Sequence, residues 1–183
     1  MFAYCLNNSI MRIDQTGCGS LLILPAAREL LDEWIHGDGE EEQYTEGSSL
    51  VRKIKKSILM KGLVNLAISN YITKGETITS GSEEFTADID GWDLYLAIQH
   101  FDYTMYVTAQ YQTTGMLWWE HTEVRYHVCV VITDTYNFDE FRSWNGFGNI
   151  MNNLACIYDI IVGGHDFDFI STYTYTTQWY PVN

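Results

Sequence analysis

Residues 122–136 read TEVRYHVCVVITDTY, and the fold turns on how this stretch is read. Val124, Tyr126, Val128, Val130 and Ile132 fall on one side of an extended chain. Arg125, His127, Cys129, Val131 and Thr133 fall on the other. A period of two sustained this long predicts a β-strand with one face in a core. The same texture lies on both sides. In FDYTMYVTAQYQ, residues 101–112, Tyr103, Met105, Val107, Ala109 and Tyr111 share a face, and TTG at 113–115 supplies a turn. In HDFDFISTYTYTTQWYPV, residues 165–182, Phe167, Phe169, Ser171, Tyr173 and Tyr175 oppose Asp168, Ile170, Thr172, Thr174 and Thr176. Pro181 ends that run. DLYLAIQHF, residues 93–101, fits a strand or a helix, because periodicity does not separate them in so short a run.

Before Gly75 the apolar spacing changes to three and four. PAARELLDEWIH predicts a helix from Pro25 to His36, with proline in the first turn and Gly37 and Gly39 as the stop. Residues 37–48 read as an acidic, glycine-flanked loop. SSLVRKIKKSILMKGLVNLAISNYITKG, residues 48–75, predicts a second helix capped by Ser48 or Ser49, with Arg52, Lys53, Lys55, Lys56 and Lys61 on a basic face. ETITSGSEEFTADIDG, residues 76–91, reads as a polar connection with a short edge strand. A further helix is predicted from Phe147 to Tyr158. The fold class expected is α+β. N-terminal helices pack on a mostly antiparallel sheet formed by the C-terminal half, with one inserted helix near 147–158. A length of 183 residues suits one domain, and the change of texture near residue 75 is compositional.

The formal net charge is −14, unevenly spread. Eight of the ten Lys and Arg residues lie in 1–74, whereas fifteen of the 24 acids follow residue 74. The acidic half should repel nucleic acid and anionic membranes, so no nucleic-acid partner is expected. It suits solubility, a cationic partner or imitation of a phosphate backbone. Cys5, Cys18, Cys129 and Cys156 form no C-x-x-C pair, so a zinc knuckle is not expected, and free thiols in a reducing cytosol are. The first residues, MFAYCLNNSIMRIDQTG, lack a basic n-region and an apolar h-region, so no cleaved signal peptide is expected. No run is long enough for a transmembrane helix, and stable membrane insertion is not expected. There is no P-loop, no G-x-G-x-x-G after a strand and no G-x-S-x-G, so neither a nucleotide cofactor nor a serine-nucleophile elbow is expected.

Two constellations invite chemistry. DTYNFDEFR, residues 134–142, places Asp134, Asp139 and Arg142 just beyond the central strand. Paired carboxylates suit acid–base work and an arginine holds an anion, with His127 as the candidate imidazole. The structural reading of the same residues is a strand exit and a charged turn. His100 precedes Asp102, and His165 precedes Asp166 and Asp168; aligned strands would bring His127 and His165 together at a sheet end. No metal is assigned, because His121 and His127 lack ligand spacing. The second constellation is aromatic. Trp118, Trp119, Tyr173, Tyr175 and Trp179 read either as a binding platform or as core and edge packing.

WWEHTEVRYHVCVVITDTYNFDEFR, then FGNIMNNLACIYD, then FDFISTYTYTTQWYPV set a strand, D-T-Y-x-F, helix and aromatic-strand order. That order, across roughly residues 118–180, resembles terminal domains of bacterial polymorphic toxins and small effectors of the type VI secretion system. The resemblance implies synthesis in a bacterial cytoplasm and secretion without a cleaved signal peptide, carried by a tube or spike protein. It implies action on a target-cell or host protein. The function expected is that of a secreted effector binding through its acidic, aromatic-rich surface. Its rivals are an enzyme toxin, a hydrolase using Asp134, Asp139 and Arg142, and a cytosolic immunity or inhibitor protein.

Overall fold

The computed structural model describes residues 24–98, 100–115, 120–136 and 164–182. The fold is α+β, with helices in the N-terminal half and a mixed, mostly antiparallel sheet. Four helices are described: α1 Pro25–His36, α2 Ser49–Lys56, α3 Ile58–Lys74 and α4 Trp92–Ala97. The strands are β1 Glu42–Tyr44, β2 Ile78–Glu84, β3 His100–Thr114, β4 His121–Tyr136, β5 Phe167–Thr176 and β6 Tyr180–Pro181. Their order is β1-β5-β4-β3-β2, with β6 also paired to β4. The helix expected near 147–158 lies outside the described residues, as do Trp118, Trp119, Asp139 and Arg142.

The parity read from 122–136 is the parity of the core. Val124, Tyr126, Val128, Val130 and Ile132 are all buried. Register aligns the buried rows across the sheet: Met105 faces Val130, which faces Tyr173, and Tyr103 faces Ile132, which faces Ser171. The helices cover this side through Leu30 and Trp34 of α1, Leu50, Val51 and Ile54 of α2, and Met60, Val64 and Ala67 of α3. Each such aliphatic side chain contributes about 1.5–3 kcal/mol by leaving water.

Three local features depart from the expectation. The helix expected over 48–75 is two helices. Ser57 is extended at ψ 151°, ending α2 and capping α3 by accepting from the Met60 amide. A serine that can cap competes with helix continuation, and here the cap prevails. Second, the acidic loop 37–48 contains β1, which pairs in parallel with β5, so the sheet is not built from the C-terminal half alone. Tyr44 drives this by packing edge-on against Phe169, ring centroids 6.1 Å apart. Third, the ambiguous stretch after Gly91 divides into α4 and the start of β3.

α4 also supplies what α1 lacks. Leu24, at the N-cap of α1, makes no side-chain cap. Asp93 of α4 takes that place, accepting from the Ala26 and Ala27 amides at 3.0 Å each. Its carboxylate is 6% exposed, and the Lys53 ammonium lies 3.2 Å from Oδ2 as an ion pair without hydrogen-bond alignment. Trp34 ties α1 to the start of β5: its carbonyl accepts from His165 N at 2.9 Å and its indole N–H donates to Asp166 at 3.2 Å. A Cβ on Gly164 would lie 2.2 Å from the Trp34 ring, so the close approach requires glycine there.

Candidate functional site

At one end of the sheet, the start of β3, the end of β4 and the start of β5 line an open groove of about 540 Å³. His100, Phe101 and Asp102 come from β3, Asp134 and its two threonine neighbours from β4, and Asp168 to Ile170 from β5. Ser82 and Glu41 complete its rim. Register gathers the carboxylates at this end of the sheet: Asp102 faces Thr133, Asp134 faces Phe169, and Asp168 faces Thr135.

Asp134 differs from its neighbours by parity. It continues the row of Ile132, whose side chain is fully buried, and precedes Tyr136, which is 7% exposed. It is therefore a carboxyl at a core-facing position, half-buried at the edge of the groove. Burial pushes it up from the ordinary 3.8 to about 6. The Thr135 amide, donating to Oδ1 at 2.8 Å, opposes that rise, and the nearby charges of Asp102 and Asp168 add to it. Asp102 and Asp168 sit on the opposite, more open face. Asp102 accepts from the Ser82 hydroxyl, and Asp168 from the Thr135 hydroxyl at 2.6 Å. His100 lies 3.3 Å from Glu84 on the rim, with both side chains well exposed. Among the described residues, no three His, Cys, Asp or Glu side chains converge to hold a metal ion.

His127 belongs to the other end and the other face. Its ring contacts Thr176 Oγ1 at 3.0 Å and Gln110 Oε1 at 3.1 Å, and Arg125 donates to the same Gln110 oxygen at 2.8 Å. That carbonyl oxygen only accepts, so Nε2 carries a proton. Asp134 and His127 are not brought together. Nor are His127 and His165: one meets the last residue of β5, the other precedes its first, ~30 Å away along a ten-residue strand.

Among the described residues, Tyr173, Tyr175 and Trp179 do not form one platform. Tyr173 is 3% exposed and belongs to the core, as its alternation with Ser171 on the helix-facing side of β5 requires. Tyr175 packs against the same core from a partly buried position. Trp179 lies under the Arg125 guanidinium, 4.6 Å from ring centroid to carbon. Asp102, Asp168 and Ser82 were not among the candidates drawn from sequence. Their sequence signal was only that His100 and His165 stand near them; the pairing of three strands is what collects them around Asp134.

No protein-family profile matches the sequence, and no curated protein is similar to it. Among solved structures, a truncated form of the bacteriocin syringacin M from Pseudomonas syringae pv. tomato DC3000 aligns with 84% of this chain at 13% identity and a TM-score of 0.38. The chain spans 60% of that protein's length. A likeness this distant assigns neither a family nor an activity.

Proposed function

We propose that this protein is a toxin-like hydrolase in which Asp134 acts as general acid and base in the groove between β3, β4 and β5. The observation that carries the reading is a carboxyl at a core-facing strand position, opening onto a solvent-accessible groove. A carboxyl that titrates near 6 gives and takes a proton near neutral pH, which an ordinary surface aspartate does poorly. Asp102 and Asp168 add negative charge beside it and favour a neutral or cationic group of the substrate at that point. Secretion through a contractile apparatus, with a tube or spike protein as carrier, belongs to the same reading and rests on the strand, helix and aromatic-strand order of residues 118–180. The alternative of pure protein binding through an aromatic surface is weakened by the burial of Tyr173.

The test is expression of the wild type and of Asp134→Asn in bacterial cytosol, bacterial periplasm and a eukaryotic cell, with circular dichroism to establish that the variant is folded. Growth arrest by the wild type in one compartment, relieved by a folded variant, is the expected result. General acid–base catalysis contributes ~10²–10⁴-fold, enough to relieve toxicity. A variant as toxic as the wild type, or a wild type harmless in all three compartments, would overturn the proposal.

A further inference from the structure

Another cleft, among the described helices, has a different chemistry. Pro25 of α1, Ser49, Arg52, Lys53 and Lys56 of α2, Ser57 and Ile58 at the α2–α3 junction, and Ile89 and Asp90 line about 530 Å³ of open space. The break at Ser57 creates it by turning α3 away from α2 and placing Ile58 at the start of the new helix, 66% exposed. Ile89, on the other lip, is 58% exposed.

The cations here stand apart from most others. Arg28, Lys53, Lys55 and Lys74 each lie within 4 Å of a carboxylate. Arg52, Lys56 and Lys61 have no carboxylate partner among the described residues, and all three flank the α2–α3 junction. Asp90, the acid in the cleft, faces inward toward the Leu59 and Thr86 amides. The apolar side chains also continue along α3. Ile72, 59% exposed, lies close to four turns from Ile58 and projects from the same side, with Leu66, 51% exposed, at the border of that face. Cations without a carboxylate partner, set beside exposed isoleucines, match a surface that offers anionic head groups above an apolar layer.

We propose that the outward face of α3 and the adjoining cleft dock the protein onto an anionic lipid membrane, with Arg52, Lys56 and Lys61 among the head groups and Ile58, Ile72 and Ile89 in the acyl boundary. The protein lies on the surface without crossing it; no described helix is long and apolar enough to span a bilayer.

Vesicle flotation with the full chain tests this, using phosphatidylglycerol–phosphatidylcholine vesicles beside pure phosphatidylcholine. Partitioning to the anionic vesicles is expected, weakening several-fold between low and physiological salt. Ile58→Ser with Ile89→Ser, and separately Lys56→Glu, should each reduce it about tenfold. Ile78→Ser, an exposed isoleucine on β2, is the control and should change nothing. Absence of binding to the anionic vesicles, equal binding to both kinds, or insensitivity to the cleft variants would overturn the proposal. So would thermal stabilisation by millimolar inorganic phosphate without vesicle binding, which would make the cleft a soluble-anion site.

Discussion

Replacing Asp134 by Asn tests the physical basis of the groove without reference to any substrate. Asn keeps the shape and can still accept from the Thr135 amide, but it does not ionise. In the wild type the folded chain holds the Asp134 proton at pH values where the unfolded chain has already lost it. The stabilisation this brings is complete below about pH 4 and is lost as pH rises through about 6. The distance from 3.8 to about 6, at about 1.4 kcal/mol per pH unit, sets an upper limit of about 3 kcal/mol. Asp134 is only half-buried, and solvent screening lowers the expected effect to ~1–2 kcal/mol. Asp134→Asn should therefore be more stable than the wild type above pH 7, by roughly 3–6 °C in Tm for a chain of this size, while losing any activity. Urea unfolding of both proteins from pH 4 to pH 8 measures it. Their difference isolates this carboxyl from opposing ones such as Glu46, which Lys55 holds below its usual value. A stability difference that stays constant over that range would refute the reasoning, because it would place Asp134 in water-like surroundings.

Two further predictions concern the scaffold. Asp93→Ala removes the cap of α1 and leaves the amides of buried Ala26 and Ala27 without their acceptor; a loss of about 3 kcal/mol is expected in urea unfolding, and a loss below about 1 kcal/mol would show that water replaces the carboxylate. Trp34→Ala empties a fully buried site and should cost ~3–5 kcal/mol, with faster amide hydrogen exchange at His165, whose N–H the Trp34 carbonyl receives; unchanged exchange there would separate the tryptophan from the start of β5.

The strands were legible because their signal is local. Each buried row on β3, β4 and β5 is written as alternation within a single stretch, and register preserves it. The start of α1 and the capping of α2 were legible for the same reason. What escaped was set by partners distant in sequence. Residues 42–44 read as loop because three residues carry no period, and only the open edge of β5 makes them a strand. The split at Ser57 was invisible because apolar spacing continues across it. The site divides in the same way. Asp134 stood out by its expected position just beyond a strand, whereas β4 runs on through it to Tyr136 and sets it on the core side with Ile132. Asp102 and Asp168 looked like ordinary surface acids until the register of three strands was known. His127, chosen for its chemistry, lies six residues along β4 from the partner of Asp102 and eight from the partner of Asp168. Asp139 and Arg142 lie outside the described residues.

The pairing of β1 with β5 also governs when this protein can finish folding. Glu42 meets Phe169 and Tyr44 meets Ser171, so this edge of the sheet closes only between segments separated by most of the chain. The ribosome releases residue 44 long before residue 169. Helices α1 to α3 and the β2–β3 ribbon can assemble early from near neighbours, whereas the Phe169 side of the core waits uncovered. Contacts of such high sequence separation slow the final step. Until β5 emerges, Tyr44 and the edge of β4 that β5 covers are the surface most open to misassembly, and a binding chaperone would find its target there.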